Sequence, residues 1–132
     1  PTVLLVADNG LTLGALLALY GSRGLGGPIG GWLAIHGTTE LFATVIAAAA
    51  GFKIGWAVIF PGVRSRLEAA SAAARIAGAA MAGVVIMLVA AGVLEGVGRQ
   101  TIRLDWARYA IGSAMLILWL AYFYLPRRKE AR

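Results

Sequence analysis

The chain alternates long apolar runs with short polar or glycine-rich breaks. A membrane-crossing helix needs about 20 mostly apolar residues, and four such windows lie along the chain, at 2–20, 31–60, 69–98 and 107–125. The first carries Asp8, Asn9 and Gly10 in its middle. That polar break predicts an interrupted helix. Residues 21–31 are rich in glycine and hold Arg23 and Pro28, so they read as a loop. The second window is longer than a span needs, about 45 Å at 1.5 Å per residue. Such a helix tilts, kinks or lays its first turns in the interface. Pro61-Gly62 ends it, and Arg64-Ser65-Arg66 leads on to Glu68. The third window has its apolar heart at 76–94, and residues 100–105 form a short polar connection. The fourth ends in Trp119, Tyr122, Phe123 and Tyr124 beside Pro126-Arg127-Arg128-Lys129. Aromatics followed by bases mark a membrane surface. The predicted fold is a single all-α domain over 1–132, a polytopic transmembrane bundle of about four helices with the first interrupted.

Composition sharpens this picture. Of the 132 residues, 60% are hydrophobic and 14% charged. Soluble domains sit near half apolar and a quarter charged, so an ordinary soluble fold is excluded. With no cysteine, disulfides, zinc–thiolate sites and thiol nucleophiles are excluded too. The net charge is +6, but the bases stand at the ends of apolar runs, where they set topology. No basic stretch interleaved with aromatics offers a nucleic-acid groove. The chain begins at Pro1, and its first apolar run has no basic n-region or small-residue cleavage site. It reads as a piece of a longer protein.

Four spans put Arg64, Arg66 and the C-terminal tail on one side, and Arg23 with Arg99, Arg103 and Arg108 on the other. The balance of bases predicts a cytoplasmic C-terminus in a multi-pass protein of the cell membrane. Lys53, between Gly51 and Gly55, reads as an anchor whose stem reaches toward the interface. Arg64 and Arg66 read as topology determinants that meet anionic lipid. Small residues spaced four apart (Gly10 with Gly14, Gly51 with Gly55, Gly92 with Gly96) predict close helix packing within one chain or between copies.

Three ionisable groups stand away from the span ends: His36, Glu40 and Glu95. His36 and Glu40 are four apart, so on a helix they share a face. A hairpin through Pro61-Gly62 brings Glu95 to the same depth. Carboxylates there are costly unless paired or watered, so the three are expected to form one polar cluster, bordered by Gly37, Thr38 and Thr39. Two readings stay open: a site for a proton, cation or partner, and a hydrogen-bonded clasp between helices. Asp8-Asn9-Gly10 is read first as a helix cap or interhelical hydrogen bond, and second as an exposed-backbone ion site. Zinc catalysis usually takes three protein ligands; His36, Glu40 and Glu95 could supply a mixed set, but the chain has one histidine and no His-Glu-x-x-His pattern, so a metalloenzyme is a distant third reading. Ser22, Ser65, Ser71 and Ser113 lack a nearby base. No catalytic residue, metal or cofactor is assigned from the sequence.

Asn9-Gly10 with Gly14, His36-Gly37-x-x-Glu40-Leu41, Gly51 and Gly55, Pro61 with Arg64 and Arg66, and Glu95-Gly96 follow one another in that order. The arrangement resembles the stage II sporulation protein M family over nearly the whole chain. The resemblance implies a polytopic helical membrane protein of which this is the C-terminal membrane half. It implies motif positions at Asn9, Gly10, His36, Gly37, Glu40, Glu95 and Gly96. It also implies no established enzymatic activity. The family's namesake works with cell-wall hydrolases during engulfment, and relatives occur in bacteria and archaea that do not sporulate. The expected function is a non-enzymatic scaffold of a cell-envelope complex. Its partners would be the lipid bilayer, further copies of itself or other envelope proteins. The alternative is a small oligomeric channel or transporter with His36, Glu40 and Glu95 lining a hydrated path.

Overall fold

The computed structural model describes residues 1–125; the basic tail expected at the membrane surface, 127–129, lies outside them. The described residues form helices and no strand. Helix α1 spans Thr2–Ser22, α2 Gly26–Ile59 and α3 Arg66–Val93. A π-helical turn, Leu94–Gly98, continues α3 into the short α4, Arg99–Thr101. Helix α5 spans Asp105–Tyr124. Four of these helices are long and apolar enough to cross a membrane: Thr2–Ser22, Gly26–Ile59, Arg66–Gly98 and Asp105–Tyr124.

The first helix corrects the sequence reading. Helix α1 runs without interruption through Asp8, Asn9 and Gly10. Its polar break is absorbed locally, because the Asn9 amide donates to the Leu5 carbonyl one turn back at 2.8 Å. The loop expected over 21–31 is much shorter. The chain turns through Arg23, Gly24 and Leu25, with Gly24 at φ 73°, a conformation that glycine takes without strain. Helix α2 then starts at Gly26, five residues before the expected span at 31. Pro28 falls in its first turn, where backbone N–H groups have no intrahelical partner to lose.

Helix α2 is the hub and contacts α1, α3 and α5. Thr2 of α1 abuts Gly51, so α1 runs antiparallel to α2. Helix α3 returns along α2 after a turn with Gly62 at φ 64°. A capping box starts it: the Ser65 hydroxyl accepts from Glu68 N–H at 3.3 Å, and the Ser65 N–H donates to the Glu68 carboxylate at 2.9 Å. Ala69, Ala73, Ala77, Val84, Met87 and Ala91 are buried on one face of α3. Steps of three, four and seven residues put them in a single stripe. Small side chains let the two helices approach closely where lipid supplies no apolar drive.

Helix α5 lies parallel to α2. Tyr109 donates to the Gly27 carbonyl at 2.9 Å, Trp119 to Thr39 Oγ1 at 3.0 Å, and the Phe42 and Phe123 rings sit 5.5 Å apart. The closest approach is at Gly112, where a Cβ would overlap the Ala34 carbonyl. The aromatics near the end of α5 therefore do more than mark a surface: Trp119 and Phe123 pack on α2. Trp119 also flanks the apolar core of Ala43, Val84 and Met87.

Candidate functional site: a polar cluster between α2 and the π turn

The buried stripe of α3 continues one step beyond Ala91 to Glu95, in the first residues of the π turn. That turn is fixed against α2. Gly98 is buried, and a Cβ there would stand 3.1 Å from Ile35 Cδ1. Ile35 precedes His36 on α2, so seating Gly98 on Ile35 brings Glu95 beside the His36–Glu40 face. Ligand-type atoms of His36, Glu40 and Glu95 all lie within 4.8 Å of one another. π turns recur at functional sites because the extra residue re-aims side chains that regular helix would point elsewhere.

The three groups differ in exposure. His36 is 4% exposed, while Glu40 and Glu95 are half-buried. Trp32, one turn before His36, packs edge-on against the imidazole with ring centroids 5.3 Å apart. Nδ1 of His36 is buried with no hydrogen-bond partner among the described residues. Thr39, fully buried on the same helix, accepts the Trp119 indole N–H. Thr38 donates to the Ala34 carbonyl at 3.4 Å and stays within its own helix. Helix α5 is thus bonded to α2 within one turn of the cluster. Below Glu95 the turn is closed by Thr101, whose hydroxyl donates to the Val97 carbonyl at 2.9 Å. Arg108 holds the α4–α5 corner: its Nε donates to the Ile102 carbonyl at 2.8 Å, and its guanidinium pairs with Asp105 at 3.3 Å.

The remaining sequence-predicted positions stand apart. Asn9 and Gly10 lie on α1, which buries no residue of its own. Gly37 is buried inside α2, and Gly96 lies in the π turn. None of the four interrupts a helix. Of the packing glycines, Gly51 abuts Thr2, whereas a Cβ at Gly14, Gly55 or Gly92 would meet nothing within 4 Å. Among the described residues, those three pack no helix. The close approaches are at Gly30 and Gly31 against Tyr109, at Gly98 against Ile35, and at Gly112 against Ala34. Sequence reasoning missed Trp32 and Gly112 and read Trp119 only as a marker of the membrane surface. The i, i+4 spacing of Trp32 and His36 was the one available signal.

No curated protein and no solved structure matches the chain. The family model for stage II sporulation protein M matches residues 1–98. That range holds His36, Glu40 and Glu95 and closes at Gly98, the last residue of the π turn. It is shorter than the near-complete resemblance expected from the motifs, leaving out α4 and α5. A match across most of the chain, joined to four helices of membrane-spanning character, identifies this as a membrane protein that belongs to the stage II sporulation protein M family.

Proposed function

We propose that the protein is a non-enzymatic anchor of a cell-envelope complex in the cytoplasmic membrane, with its C-terminus in the cytoplasm. The observation that carries this reading is how unevenly the chain uses its surfaces. Two polar groups of α2 are turned inward: His36 and Thr39 are buried, and Thr39 is hydrogen-bonded across to α5. Helix α1 is held mainly along α2, and Val3, Leu4, Leu5 and Leu11 are exposed on it. A helix so thinly packed offers lipid or a partner a long apolar face. In this reading the cluster is a clasp that keeps α2, α3 and α5 in register while α1 meets other proteins.

A second reading, a small channel or transporter, draws on the three intramembrane ionisable groups, which mark ion and proton paths in many membrane proteins. Less supports it, since cluster residues line neither the cleft between α1, α2 and α3 nor the groove at the α2–α3 turn.

Photo-crosslinking separates the two. A photoreactive residue at Leu4 or Leu11, in native membranes, is expected to trap discrete protein partners, and purified protein in liposomes is expected to leave them tight to ions. Lipid adducts alone, with ion flux that His36→Ala abolishes, would overturn the anchor.

A further inference from the structure

We propose that His36, Glu40 and Glu95 form a binding site for a divalent first-row transition-metal ion, which closes α2 onto the π turn. This goes beyond the anchoring role and holds whichever partner that role involves.

Two independent observations point to it. One nitrogen and two carboxylate oxygens, drawn from two helices, converge within 4.8 Å of one another. The same imidazole has a buried nitrogen, Nδ1, that bonds to nothing among the described residues. A buried polar atom without a partner is costly and uncommon. A bound ion is one of the standard explanations for such an atom.

Charge and chemistry narrow the ligand. With the carboxylates ionised and the imidazole neutral, the trio carries two negative charges in a poorly solvating setting. A dication neutralises both. An imidazole nitrogen beside two carboxylates suits zinc, manganese or iron(II), whereas magnesium and calcium favour all-oxygen shells. The sequence has no cysteine to favour soft-metal chemistry. Three protein ligands leave at least one coordination position for water.

The spacing is compatible with an open, metal-ready arrangement. Bonds of about 2.0–2.2 Å place tetrahedral ligand atoms roughly 3.4 Å apart. Binding therefore shortens their separations by at most roughly 1.4 Å, within reach of the end torsions of the two glutamates. Because the ligands come from both arms of the α2–α3 hairpin, occupancy cross-links it. Trp32 packs on the imidazole and restrains its swing.

The test uses the full chain purified in detergent, stripped with a chelator and titrated with zinc by calorimetry. One zinc per chain is expected, with a raised melting temperature. Glu40→Gln and Glu95→Gln should each weaken binding by at least ~100-fold, the upper end of what losing a group that merely supports a ligand does. Asp8→Asn, an exposed carboxylate on α1, should leave binding unchanged. Cobalt(II) gives a reading that needs no variant. The wild-type protein is expected to develop the intense visible bands of a four- or five-coordinate site, erased by zinc. Absent stoichiometric zinc binding, equal binding by the Gln variants, or a cobalt spectrum no stronger than that of the hydrated ion would each overturn the site. Destabilised Gln variants beside a wild-type protein that binds no metal would also overturn it, while leaving the clasp intact.

Discussion

The two ends of the α2–α3 hairpin are built on different principles. At one end, three helices meet around His36, Thr39, Glu40 and Glu95, and α5 adds a hydrogen bond from Trp119 and a backbone-close crossing at Gly112. At the other, α2 continues from Phe42, which the Phe123 ring meets, to Ile59, about 25 Å further at 1.5 Å per residue. There the hairpin is held by the alanines Ala69, Ala73 and Ala77 and by the capping box at Ser65. Lys53, Arg64, Arg66 and Arg75 are exposed on it, with Trp56 and Phe60 among them. Bases and aromatics together suit a membrane surface. One end is specified by particular side chains in particular places; the other needs little beyond small residues and a turn. Substitutions should therefore be sharply felt at the first and widely tolerated at the second.

The largest expected contrast is between two glycines. Gly112→Val drives a branched side chain into the Ala34 backbone, which has no rotamer to escape by. We expect a loss of at least ~3 kcal/mol and a collapse of folded yield, at or beyond the usual cost of overpacking. Gly55→Val, facing open space near the hairpin turn, should change the melting temperature of purified protein hardly at all. Equal sensitivity of the two positions would erase the distinction between the ends.

A smaller effect is expected from Trp119→Phe. The ring still packs beside Ala43, Val84 and Met87, but the hydroxyl of the fully buried Thr39 loses its donor. Membrane hydrogen bonds measured by double-mutant cycles average about 0.6 kcal/mol, and a buried orphaned acceptor costs about 1–3. A loss of about 1 kcal/mol is expected, and Thr39→Val in the same background should restore part of it. A loss that Thr39→Val leaves untouched would place the role of Trp119 in packing alone.

Much of this architecture is legible in the amino-acid sequence. Length and hydropathy give four helices because a span in lipid must satisfy its own backbone. The i, i+4 spacing of His36 and Glu40, with a hairpin at Pro61-Gly62, places Glu95 at their depth without reference to other contacts. What is illegible depends mostly on partners distant in sequence. Asp8-Asn9-Gly10 looks like a break because hydropathy does not record that Asn9 can bond back to Leu5 in its own helix. Gly26 to Gly31 looks like loop by composition, yet the last two of these glycines are helical where the Tyr109 ring comes close. Gly112 is one glycine among eighteen until α5 is known to run parallel to α2. The π turn has no sequence signature, so the final aim of Glu95 is a property of the fold.

The central claim is that the cluster is one unit joining α2 to α3, and a double-mutant cycle tests it most directly. Melting in detergent would be followed for Glu40→Ala, Glu95→Ala and the double variant. If the two carboxylates act as one unit, each single change costs about 1–3 kcal/mol, the range for leaving a polar partner unsatisfied, and the double change costs little more than the worse single one. Strictly additive losses, or no loss in either single variant, would contradict the claim and make the two glutamates independent residents of their helices.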